Sequence, residues 1–61
     1  MNTQYKVWFG TDLGCGQYVW EFSQILPTKS LAEHHMNEIL RVCKLHNHHW
    51  DSGTIEEIQS N

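Results

Sequence analysis

Basic residues are scarce in this chain: only Lys6, Lys29, Arg41 and Lys44, against seven acidic residues, for a formal charge of −3. Nucleic-acid binding relies on several cations gathered on one face to displace counterions from phosphates. Four scattered cations therefore argue against a nucleic-acid partner. Nor is there a dense carboxylate run of the kind a full DNA mimic would present. No long apolar stretch occurs, and no basic start leads into an apolar segment, so neither a membrane span nor a secretion signal is expected. The two cysteines, Cys15 and Cys43, alone decide nothing about compartment. With no export signal they read as reduced thiols in a cytoplasm. Repeats and low-complexity tracts are absent, and Pro27 is the only proline.

What is present is globular. Hydrophobic residues make up 39% of the 61 positions and charged residues 18%, which is not the profile of a disordered chain. Three Trp, two Tyr and two Phe supply large core-forming side chains. The length allows one domain, residues 1–61, with one thin core. A chain this short buries only roughly 60% of the surface its unfolded form exposes. Such a core rarely supplies more than about 3–5 kcal/mol without a disulfide, a metal or a second subunit.

Alternation is the first strong local signal. Tyr5, Val7 and Phe9 alternate with Lys6 and Trp8, and Tyr18, Trp20 and Phe22 alternate with Val19 and Glu21, the period of half-buried strands. Between them, Gly10 to Gly16 reads as a glycine-rich turn and not as a phosphate loop, since no helix N-terminus follows it. A turn centred on Leu13-Gly14 pairs Tyr5 with Phe22, Val7 with Trp20 and Phe9 with Tyr18, all on one side. It also sets Lys6 opposite Glu21 and Trp8 opposite Val19 on the other side.

Past Pro27, Ser30-Leu-Ala-Glu33 has the form of a capping box and predicts a helix start. At about 100° per residue, Leu31, Ala32, His35, Met36, Ile39, Leu40, Val42, Cys43 and His46 form one apolar arc. Leu45 is stranded on the polar side. Asn47 to Gly53 reads as a loop. Residues 54–58 fit either a third strand, reached by a right-handed crossover, or a helical turn. The strand is preferred because a two-stranded sheet is marginal alone. The expected fold class is thus α+β: an antiparallel β-hairpin, extended to ββαβ by the third strand, packed on one amphipathic helix.

Two features suggest function. Trp8 opposite Val19, with Lys6, Glu21 and Ile25 on the same side by parity, lies on the strand face that the helix leaves uncovered. An aromatic residue on such a face is what a protein-binding hot spot looks like. The alternative is a third layer made by the chain's own tail, with Trp50 folded over Trp8. A homodimer would use the same face and would supply the missing reinforcement.

The second feature is the five histidines. Cys15, Cys43, His46 and His49 make a complete set of zinc-preferred ligands, so a zinc-stabilised binding module is the alternative reading. The spacing is unlike a ββα zinc finger, which puts two cysteines in the hairpin. The favoured expectation is therefore no metal and no cofactor, the histidines answering the negative end of the helix dipole. Protonating all five near pH 6 would move the formal charge from −3 to +2. His35 reads as a hydrogen-bonded core histidine and Cys43 as a small buried hydrophobe. Cys43 and His46 are spaced as a nucleophile–base pair, but nothing orients them. An enzyme is not expected.

Tyr5-Lys-Val7, Gly16-Gln-Tyr18-Val-Trp-Glu-Phe22 and Ser30-Leu-Ala-Glu33 together resemble the strand–turn–strand–helix of the short phage-encoded uracil-DNA glycosylase inhibitors. The likeness covers about half the chain and carries no specific motif; the long helix, the histidines and the modest acidity depart from it. A similar ββαβ layout occurs in small phage antitoxin-like proteins. The resemblance implies an acidic homodimeric inhibitor of a larger host protein, working in the host cytoplasm. No site residue is transferred from it.

Overall fold

The structure, a computed structural model, describes residues 2–60. Four elements follow in order: β1 (Asn2–Gly14), β2 (Gln17–Leu26), α1 (Lys29–Leu45) and β3 (Ser52–Ser60). The fold is α+β. The three strands form one sheet in the order β2-β1-β3, with β1 antiparallel to both neighbours. The third strand is therefore present, longer than residues 54–58, and α1 carries the chain from one sheet edge to the other.

The hairpin turn is tighter and later than the sequence suggests. Gly14 pairs with Gln17, and the two residues between them, Cys15 and Gly16, have φ of 55° and 76°. Positive φ at both central positions is the type I′ geometry that matches strand twist, and glycine adopts it without a Cβ clash. This turn moves the pairing four residues along β2. Tyr5 lies opposite Leu26, Val7 opposite Gln24 and Phe9 opposite Phe22. The expected pairs of Tyr5 with Phe22, Val7 with Trp20 and Phe9 with Tyr18 do not form. A slip of four keeps every residue on its own face, so period-two patterning is blind to it.

Two irregularities then break that patterning. Phe9 faces Phe22 but Gly10 faces Trp20, which leaves Glu21 as an extra residue on β2, a β-bulge. Beyond it the faces exchange. Phe22 stays on the helix side, whereas Trp20 and Tyr18 share the opposite face with Gly10 and Asp12. Gly10 is tied to this arrangement, because a Cβ there would lie 2.0 Å from the Val19 carbonyl oxygen. A second shift, at Leu13, precedes the turn.

The helix starts two residues before the expected cap. Thr28 is the N-cap, its Oγ1 accepting from the Leu31 amide at 3.1 Å, and Ser30 lies inside the first turn. Position three after the cap is Leu31, so no reciprocal glutamate completes a capping box. The C-terminus closes as a Schellman motif. His48 N donates to Cys43 O at 2.8 Å and Asn47 N to Lys44 O at 3.4 Å, with Asn47 at φ 54°.

Val7, Phe9 and Ala32 are fully buried, and Tyr5, Leu26, Met36, Ile39, Leu40, Trp50 and Ile55 pack around them. Burying side chains such as Val7 and Phe9 is worth about 1.5–3 kcal/mol each. The helix contributes a narrower stripe than its apolar arc, since Leu31 and Val42 remain exposed, as does Leu45. Gly53 lets it approach closely: a Cβ there would meet Met36 Cγ at 2.9 Å.

Candidate protein-binding face

Helix α1 and the loop after it both lie on one side of the sheet, and the loop is fastened there residue by residue. Trp50 stacks on Phe9 and Phe22, with ring centroids 5.7 and 5.6 Å away. Its Nε1 donates to Glu21 Oε1 at 3.0 Å, and His49 Nε2 lies 2.6 Å from the same oxygen. The bulge residue Glu21 thus acts as the clasp for the loop. Thr11 Oγ1 donates to the His49 carbonyl, and Asp51 N donates to the Gly10 carbonyl. Trp50 accordingly folds over the helix-side core and not over Trp8.

Among the described residues, the other face has no covering layer. Strand pairing sets Lys6 between Ile25 and Glu56, Trp8 between Ser23 and Thr54, and Gly10 between Trp20 and Ser52. Trp8 is half-buried, its Nε1 donating to Glu56 Oε1 at 3.2 Å, with Lys6 Nζ 4.4 Å from its ring centre. Tyr18 and Trp20 stack at 5.3 Å with an 8° interplanar angle. Ile25 is 50% exposed, Tyr18 47% and Trp20 38%.

Of the five residues singled out from sequence, Lys6, Trp8 and Ile25 stand together on this face. Val19 and Glu21 do not. Val19 lies opposite Thr11, across the sheet from Trp8, and Glu21 holds the loop on the helix side. The expected Lys6–Glu21 and Trp8–Val19 pairs across the hairpin are replaced by Lys6–Ile25 and Trp8–Ser23, and β3 adds Glu56 and Thr54 on the other side of β1. Tyr18, Trp20 and Glu56 were missed as members of the face. One signal was available: an isolated glycine inside a strand pattern, here Gly10, marks a bulge.

The zinc alternative finds no assembled site. Cys15 is exposed in the hairpin turn, Cys43 is buried on α1, His46 caps the helix and His49 is engaged by Glu21. Among the described residues, no group of three or more His, Cys, Asp or Glu side chains is placed to hold a metal ion. His48 and His49 stack at 4.4 Å, and His48 Nδ1 accepts from the Trp50 amide at 3.2 Å. Half-buried His35 sets its ring edge-on to Phe9, but its buried Nε2 has no hydrogen-bond partner among the described residues, in contrast to the expected bonded histidine.

Two carboxylates are held ionised. Asp51 is lowered from the usual aspartate range chiefly by the Asp12 backbone N–H; desolvation opposes this, and the Ser52 hydroxyl adds a smaller lowering effect. Glu38 is lowered by its hydrogen bond from Arg41 and by that residue's charge. No helix of the described residues is long and apolar enough to cross a membrane. Comparison with protein-family models, curated proteins and solved structures returns no match, so any functional reading stands on this geometry.

Proposed function

We propose that this chain is a non-enzymatic protein-binding module, an inhibitor or modulator of a larger host protein of the short phage type, which engages its partner through the open face of the sheet and needs no cofactor. The observation that carries the reading is the one-sidedness of the fold. Helix and loop crowd one face, while on the other no described residue forms a layer over Trp8, Tyr18, Trp20 and Ile25. Aromatic residues concentrated at the centre of a patch with polar surroundings are the usual anchors of protein interfaces. The non-enzymatic part draws support from Cys43 and His46: the thiol is buried and the imidazole is exposed at the helix end, so the one nucleophile–base pair suggested by spacing is divided. A second copy of the chain would use the same face in a homodimer and thicken a small core.

The test compares wild type with Trp8→Ala, in affinity capture from host extract and in native mass spectrometry. The variant should keep its circular dichroism spectrum and lose the captured partner or the dimer. Full retention of both associations by folded Trp8→Ala would overturn the reading.

A further inference from the structure

Next to Trp8, the open face contains a groove with its own chemistry. It is a cavity of about 480 Å³ lined by Tyr18, Trp20, Asp51, Ser52, Gly53 and Thr54. Its existence follows from Gly10, which lies between Trp20 and Ser52 across the two ladders and has no side chain to fill the space between them. One wall is aromatic, the parallel stack of Trp20 and Tyr18. The opposite wall is the start of β3, with the Ser52 and Thr54 hydroxyls.

The mouth is acidic. Asp12 lies directly opposite Tyr18 on the same face. Asp51 Oδ1 accepts from the Asp12 amide at 2.9 Å and from Ser52 Oγ at 3.1 Å, which fixes the carboxylate in place. Both bonds use Oδ1, and Oδ2 makes no hydrogen bond to any other described residue. No cation of the chain pairs with either aspartate among those residues. Lys6 lies over Trp8, Lys29 and Arg41 belong to α1, and Lys44, also on α1, lines a neighbouring cavity with Asp51 but forms no ion pair with it.

We propose that this groove receives an arginine side chain of the protein partner, its guanidinium lying against the Trp20–Tyr18 stack and donating to the free oxygen of Asp51. The proposal rests on the protein-binding reading and names the chemistry of the residue bound. A planar cation gains from an aromatic face by attraction to the ring quadrupole. It also presents donors in a fixed fork that suits a carboxylate, which a lysine ammonium does not. A phosphate or carboxylate ligand would meet Asp12 and Asp51 with like charge.

The probe is the tripeptide acetyl-Gly-Arg-Gly-amide, titrated into the whole protein and followed by ¹H–¹⁵N correlation spectra that include the tryptophan indoles. Its citrulline counterpart, equal in shape but uncharged, is the control. The arginine peptide should shift Tyr18 and Trp20 saturably, and the citrulline peptide should bind about tenfold more weakly. Asp51→Asn keeps an Oδ1 acceptor for the Asp12 amide and should weaken arginine binding by about three- to tenfold, the range expected for one partly exposed charge contact plus a cation–π contact. Trp20→Leu should remove the saturable shift; if that variant does not fold, Asp51→Asn and the citrulline control still decide. Equal binding of the two peptides, unchanged affinity in Asp51→Asn, shifts centred on Trp8 and Ile25, or no saturable shift would each overturn the proposal. The protein-binding reading would survive any of these if Trp8→Ala still abolished partner capture. Retained capture by Trp8→Ala alongside arginine binding at Trp20 would sink the wider reading and leave the groove standing.

Discussion

Gly10 and Asp51 each have a defined task at the junction where β1 meets both of its neighbours. A methyl group at Gly10 would penetrate the Val19 carbonyl, and because the obstacle is backbone the two strands themselves must separate. Overpacking of this kind costs about 1–3 kcal/mol or more, against a total of about 3–5 kcal/mol for a domain this small. Gly10→Ala should therefore melt well below wild type by circular dichroism, having lost a large share of the domain's stability, and a melt matching wild type would show that the bulge tolerates a side chain. Asp51 makes a pH-dependent contribution. Its folded value lies below the ordinary 3.8, so the unfolded chain takes up the proton first. The stability it contributes is complete above 3.8 and is lost as pH falls through the lower folded value. Urea unfolding across that acid range should show a shallower loss in Asp51→Ala than in wild type. Glu38, depressed by Arg41, acts with the same sign, so some slope should remain.

The element boundaries show which signals the sequence holds and which it lacks. Since Thr28 and not Ser30 caps α1, Thr28→Ala should lower stability by about 1 kcal/mol, while Ser30→Ala should stay within about 0.5 kcal/mol. Thermal melts of the two variants check the assignment, and the reverse order would restore the capping box at Ser30. That box was a legible but wrong choice, because two hydroxyl residues stand near Pro27 and only backbone geometry selects between them. The helix and both hairpin strands were legible from periodicity, as was the placement of Trp8 on the strand face away from the helix; whether the tail covers it was not. Their register was not. Gly14 and Gly16 permit more than one turn, and pairings four residues apart give identical faces. The bulge at Glu21 was hidden for a different reason: Tyr18, Trp20 and Phe22 keep perfect alternation in sequence while the extra residue sends two of them to the far side of the sheet.

For the molecule as a whole, the α+β class follows from the order of its patterns, and β3 from the weakness of a sheet with only two strands. The histidines remained ambiguous because ligand types without ligand geometry define no site. With no assembled cluster among the described residues, excess chelator should leave the melting curve unchanged; a marked fall in melting temperature would revive zinc binding through Cys15, Cys43, His46 and His49. The sheet order has a further effect, on the timing of synthesis. The central strand is made first, and β2 completes its hairpin at Leu26, but the partner for the other edge of β1 ends at Ser60. At about 5–20 residues per second, that edge stays unpaired for roughly two to seven seconds on each nascent chain. Until β3 docks, that edge of β1 offers its unpaired N–H and C=O groups to the strand of a second chain, so refolding at high protein concentration should lose more material to association than refolding at low concentration.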